Sequence, residues 1–219
     1  MLRGTHLCTG LLLPMALCLA LQAQAVQVKI TPELDHVDVM HAGKPVRIQR
    51  IQDTGHKIID DFAKTSRPCP EFCIHPMRVA PGVETLGELE LLDFMTHEVK
   101  TGQGMVIDAR LAEFHRIETI PTSVNIPFTV IKVDNPHIDR ILLALGARKS
   151  SPGEWNFERA MTLALWCNGP WCDQSSRAIK ALLKLGYPPA RLKYYRGGMQ
   201  TWKLLGLTTV VPAGSGPRR

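Results

Sequence analysis

The chain has 219 residues, a formal net charge of +6, 45% hydrophobic residues and 21% charged ones. That length suits one α/β domain with an extension, or two very small domains, and the composition excludes a largely disordered chain. The basic residues are scattered, which argues against a nucleic-acid surface, and beyond residue 30 no apolar run is long enough to cross a membrane.

Residues 1–25 read as an export signal. Arg3 gives a short basic start, residues 11–21 an apolar stretch, and Ala23-Gln24-Ala25 a small-x-small cleavage site. The apolar stretch is short for a retained anchor, so cleavage after Ala25 is expected, leaving no membrane span. Cleavage removes Arg3, Cys8 and Cys18, so four of the six cysteines stay with the mature chain. A periplasmic or secreted location follows, where thiols can form disulfides.

Residues 26–82 read as a small β-rich extension. Residues 26–30 alternate, and 44–51 alternate apolar and basic residues after a Gly43 turn, with Arg47 and Arg50 on a charged strand edge. A short helix is expected over 58–64. The proline-studded segment 67–76 cannot be regular helix, and it holds Cys69 and Cys73.

From 83 to 211 the pattern changes to alternating helices and strands. Leu86, Leu89, Leu92, Phe94 and Met95 form a helical stripe, with Thr85 and Glu88 as a capping box. Strands are expected at 105–109, 124–127, 160–166 and 192–195, and helices at 138–145, 175–185 and 199–205. Such alternation implies a largely parallel sheet covered on both faces. Residues 212–219 read as a disordered tail.

The strongest chemical signal is Trp166-Cys167-Asn168-Gly169-Pro170-Trp171-Cys172-Asp173-Gln174-Ser175. A cysteine closes an apolar strand, a Gly-Pro turn follows, and a helix begins about eight residues on. A loop at the carboxyl end of a parallel strand aims backbone N–H groups at one point, beside the positive end of a helix dipole. A thiol there ionises more readily, and the thiolate is the nucleophile. The same cradle would hold the terminal sulfur of a persulfide. The plain alternative is a buried strand-end cysteine with a disulfide partner.

Residues 163–187, followed by 192–206, resemble the active-site half of a rhodanese domain. Upstream, Val106-Ile107-Asp108-Ala109-Arg110, and then Ile120-Pro121 and Asn125-Ile126-Pro127, resemble the second signature of that family. The resemblance implies the rhodanese-like α/β fold, a central parallel sheet flanked by helices. It also implies a sulfurtransferase whose catalytic residue, by position, is Cys167. Asp108 and Arg110 match residues that support the active-site region in that family.

The loop departs from the family pattern. An arginine is usual five residues after the cysteine; here Cys172 stands there, and Ser175 falls two residues late. No Lys or Arg lies between Cys167 and Ser176, so a dianionic donor such as thiosulfate would rely on backbone N–H groups or on Arg177. A phosphatase-like Cys-x5-Arg reading fails, because the required position is Asp173. Cys172 is either a resolving thiol that attacks an oxidised Cys167, or a packing residue. Trp166 and Trp171 either wall a dry pocket beside Cys167 or simply pack.

Cys69 and Cys73, with His75 close by, could be a structural disulfide, a redox pair or part of a metal site. A disulfide is the plain reading for an exported chain, since no fourth ligand for a metal stands nearby. The histidines show no helical i, i+4 pairing, and His115 reads as an ordinary residue. No metal and no cofactor are expected. The function expected is persulfide transfer from a small donor such as thiosulfate or polysulfide to a thiol or redox-protein acceptor. The other two readings are a thiol–disulfide redox protein using Cys167 and Cys172, and a non-catalytic binding module.

Overall fold

The computed structural model describes residues 27–151 and 153–212. The expected export signal, and the expected tail after Pro212, lie outside the described residues. The chain opens with a hairpin, β1 (His36–His41) and β2 (Lys44–Gln49), and then winds through a proline-rich segment to β3 (Glu84–Leu86). Next come α1 (Glu88–Phe94), β4 (Gly104–Asp108), α2 (Ala112–Ile117), β5 (Val124–Asn125) and α3 (Ile138–Ala144). A second hairpin, β6 (Arg148–Ser151) with β7 (Glu154–Asn156), precedes β8 (Thr162–Trp166) and α4 (Gln174–Lys184). The chain closes with β9 (Leu192–Tyr195) and α5 (Gly198–Leu204).

Five strands form one parallel sheet in the order β3-β9-β8-β4-β5. Central strand β8 is apolar and buried from Leu163 to Trp166 because both of its faces are covered there. Leu163 and Leu165 meet Ile138 and Leu142 of α3 and Ala178, Ile179 and Leu182 of α4. Ala164 and Trp166 point the other way, to Leu91 and Leu92 of α1 and Met199 and Trp202 of α5. The expected α/β architecture, with a central parallel sheet flanked by helices, is the one observed. No described helix is long and apolar enough to cross a membrane.

Several local expectations differ. Residues 27–30 form no strand, and the helix expected over 58–64 is a single turn at Asp61–Ala63. Thr85 does not cap α1: it lies in β3, which pairs with β9, and its hydroxyl donates to the Met77 carbonyl. The cap is Gly87, whose N–H donates to Glu90, while Glu88 accepts from the Tyr195 hydroxyl. A three-residue edge strand has too little period to show, and pairing with the end of the chain decides it.

The first hairpin shares the core of the sheet. It turns through Ala42 and Gly43, both at positive φ, as two-residue hairpin loops do. Val39 and the fully buried Ile48 join the apolar cluster of Trp202 and Leu207. Arg50 Nε donates to the Leu205 carbonyl at 2.8 Å, and Thr208 N–H to the Gln49 carbonyl at 3.1 Å. Ile48→Ala should therefore cost about 2–5 kcal/mol. Urea unfolding followed by tryptophan fluorescence should show the whole transition moving to lower denaturant; a hairpin that merely hung on the domain would leave it in place.

Candidate active site

Cys167 follows β8 at the carboxyl edge of the sheet, and the loop it opens runs to the start of α4. The loop carbonyls are tied down by α5: Met199 N–H donates to the Cys167 carbonyl at 3.0 Å, and Gln200 N–H to the Asn168 carbonyl at 2.9 Å. Gly198 permits this approach, for a Cβ there would lie 2.2 Å from the Cys167 oxygen and 2.7 Å from the Gly169 nitrogen. With these two carbonyls turned to α5, the Gly169 and Ser175 N–H groups face the sulfur, as does the Cys172 carbonyl, which accepts from the Cys167 thiol at 3.2 Å.

Cys167 Sγ is almost completely buried, which by itself would push its pKa up. The donors around it outweigh that cost. They are the Cys172 thiol, the Ser175 hydroxyl at 3.1 Å, and the backbone N–H groups of Ser175 and Gly169, and together they hold the thiol below its ordinary value. Cys172 goes the opposite way. Burial, its donation to Cys167 and the neighbouring negative charge push it well above the ordinary value. The two free thiols are therefore shifted in opposite directions, Cys167 toward easier ionisation and Cys172 away from it.

Asp108 and Arg110 lie beneath the loop, essentially without solvent contact. Arg110 Nε and Nη2 grip the two carboxylate oxygens at 2.8 Å each, Nη2 also donates to the Glu118 carbonyl, and Nη1 reaches Asn168 Oδ1 at 3.3 Å. Asp108 accepts further from Thr119 and His115. Burial opposes its charge, but the Arg110 and His115 hydrogen bonds hold its carboxyl below the usual range. His115, expected as an ordinary residue, is thus part of this anchor.

Trp166 lies on the far face of the sheet, its indole N–H on Ser123, and does not border Cys167. Arg177 sits over Phe128 and 3.8 Å from Asp173, committed to those partners. Trp171 meets the extension. Arg67 lies 4.0 Å over its ring, Phe72 packs edge-on at 5.4 Å, and Gln200 links its indole to the Phe62 carbonyl. Cys69 and Cys73 are paired, with Cα atoms 4.7 Å apart. Just beyond them His75 N–H donates to the Pro170 carbonyl at 2.9 Å, and Arg196 Nε and Nη2 donate to the His75 carbonyl. The stapled segment therefore lies directly on the Cys167 loop. Spacing along the chain gave no sign of His75, Arg196 or Gln200 here, though Arg196 follows the strand beside β8.

The family model for the rhodanese-like domain matches residues 91–205. The chain belongs to the rhodanese-like domain family. The match begins after the extension. Among solved structures, a human single-domain sulfurtransferase is 18% identical, covering 56% of this chain and 96% of its own, with a TM-score of 0.38. A rhodanese with anions from E. coli is 24% identical, covering 50% and 99%, with a TM-score of 0.33. A Rhodopseudomonas palustris protein of unknown function, described as a possible tyrosine phosphatase, is 19% identical, covering 58% and 85%, at 0.41. Comparison with curated proteins yields no match.

The cradle makes a direct prediction. Ser175→Ala removes one donor to the thiolate, so Cys167 should ionise at higher pH. Alkylation by iodoacetamide at neutral pH should slow roughly tenfold, with the pH midpoint of the rate moved upward. An unchanged profile would mean that Ser175 does not act on the sulfur.

Proposed function

We propose that this rhodanese-like protein is an exported sulfurtransferase that carries sulfane sulfur as a persulfide on Cys167. The observation that carries the reading is the buried Cys167 thiol at the carboxyl end of β8, with the Ser175 hydroxyl 3.1 Å from its sulfur and backbone N–H groups lowering its pKa. The thiolate attacks a sulfane sulfur, and the donor's leaving group departs with the bonding electrons. The Gly169 and Ser175 N–H groups then face the new terminal sulfur. An acceptor thiolate takes that sulfur, and Cys167 returns as thiolate, ready for another donor. The paired Cys69 and Cys73 support an oxidising compartment, in keeping with the N-terminal export pattern.

Contact between Cys172 and Cys167 favours a second reading. Attack by Cys172 on the inner sulfur of the Cys167 persulfide would expel hydrosulfide and leave a disulfide. The high pKa of Cys172 works against this until its proton is removed.

Intact-mass measurement separates the readings. Reduced protein incubated with thiosulfate or polysulfide should gain one sulfur, the gain persisting in Cys172→Ser and absent in Cys167→Ser. A reversible Cys167–Cys172 disulfide with no sulfur adduct from any donor would replace the sulfurtransferase reading by a redox one. Neither product would leave a binding module.

A further inference from the structure

The loop around Cys167 is held in two different ways. Its first half is fixed by the domain itself: the Cys167 and Asn168 carbonyls accept from α5, and the Asn168 side chain accepts from Arg110. Its second half rests on the extension. The Pro170 carbonyl accepts from His75, and the Trp171 ring meets Arg67 and Phe72. Arg67 also lies over Phe72, 5.4 Å from the ring centre, so the three side chains pack as one group. Even Gln200 of α5, which binds the Trp171 indole, gives its own amide to the Phe62 carbonyl of the extension.

Cys167 is only 2% exposed, so a reagent meets its sulfur only when part of this cover moves. The half bound to α5 and Arg110 is tied to the core. The half at Pro170 and Trp171 is held by residues 67–76, which form neither helix nor strand. One covalent bond stiffens that segment, between Cys69 and Cys73, four positions apart. Phe72, which packs on Trp171, lies inside the ring this bond closes, and His75 stands two residues beyond it. Cys69 is exposed to solvent. The bond that shapes the contact on Trp171 is therefore one that a partner thiol can reach. The segment also precedes residues 91–205, which match the family.

We propose that the Cys69–Cys73 disulfide is a site of exchange with a dithiol, and that its redox state sets access to Cys167, closed when oxidised and open when reduced. In the exchange, one thiolate of the dithiol attacks the exposed Cys69 sulfur. The Cys69–Cys73 bond breaks, and its electron pair leaves on Cys73. The second thiol of the dithiol, once ionised, attacks its own sulfur in the mixed disulfide and releases Cys69. Two electrons and two protons pass to the protein, and the dithiol leaves as a disulfide. Without the ring, residues 69–73 regain conformational freedom, so Phe72 and His75 rest on Trp171 and Pro170 for less of the time. What the gate means for sulfur loading rests on the persulfide reading; its action on the thiol does not.

The test reads access with iodoacetamide, in Cys172→Ser protein so that Cys167 has no disulfide partner beside it. Alkylation of Cys167 is followed by peptide mass, first with the Cys69–Cys73 bond intact, then after dithiothreitol has opened it and been removed. Reduction should raise the rate about tenfold across the pH range and leave its pH midpoint in place. Cys69→Ser/Cys73→Ser in the same background should react fast without reductant and should not respond to it. Phe72→Ala keeps the bond but loses the contact on Trp171, so the factor between the redox states should shrink. Near-ultraviolet circular dichroism should stay native throughout. Equal rates in the two redox states would overturn the gate. So would a moved midpoint, for the bond would then act on the acidity of the thiol. Sulfur loading of Cys167 from polysulfide should rise by the same factor in Cys69→Ser/Cys73→Ser. No loading in either state, with the alkylation factor present, would remove the persulfide reading and leave the gate standing.

Discussion

Cys167 and Asn168 give their backbone carbonyls to the first N–H groups of α5, across a gap that only Gly198 leaves open. Much of the site follows from that contact. A peptide unit that turns its oxygen one way turns its N–H the other way. The Gly169 N–H thus faces the sulfur because the Asn168 carbonyl of the same peptide unit is held on the helix behind it. That donor is fixed before any charge forms, so ionising the thiol demands little reorganisation. A side chain at residue 198 would press into the Cys167 oxygen, and the loop would have to lift away from α5.

The Asp108–Arg110 pair holds the loop from below. Burying two charges is costly, and such a pair is favourable only when its remaining hydrogen-bonding capacity is also met. Here the carboxylate accepts from Arg110, Thr119 and His115, and the guanidinium reaches Asn168 and the Glu118 carbonyl. The charges cancel locally, so the anchor adds little field at Cys167 while still fixing the residue next to it. The buried, neutralised arginine therefore acts on the loop by positioning it.

Much of this was legible in the chain itself. The run ending at Trp166 could be helix or strand by periodicity alone, and the thiol, turn and helix start that follow mark it as a strand and locate the nucleophile. The resemblance to the family pattern at Asp108 and Arg110 implied a supporting pair. What stayed hidden depends on pairing across the fold. The three residues of β3 look like a helix start until β9 lies beside them. Trp166 and Trp171 both adjoin the loop in sequence, but the two-residue period of β8 sends Trp166 to the opposite face.

The extension bears on the chemistry through the same logic. Its hairpin is held by the shared core at Ile48, which brings the proline-rich segment across the carboxyl edge of the sheet. Prolines deny that segment a helix of its own, so its backbone groups are free to bond elsewhere: His75 N–H to Pro170, and the His75 carbonyl to Arg196. Cys69 and Cys73 narrow its conformations further. With Arg67 and Phe72 packed on Trp171, the segment also helps to keep water from a sulfur that is already buried, and low local dielectric strengthens every donor aimed at it. The extension and the loop therefore act on one thiol from two sides, with α5 setting the donors and the stapled segment limiting what can approach them.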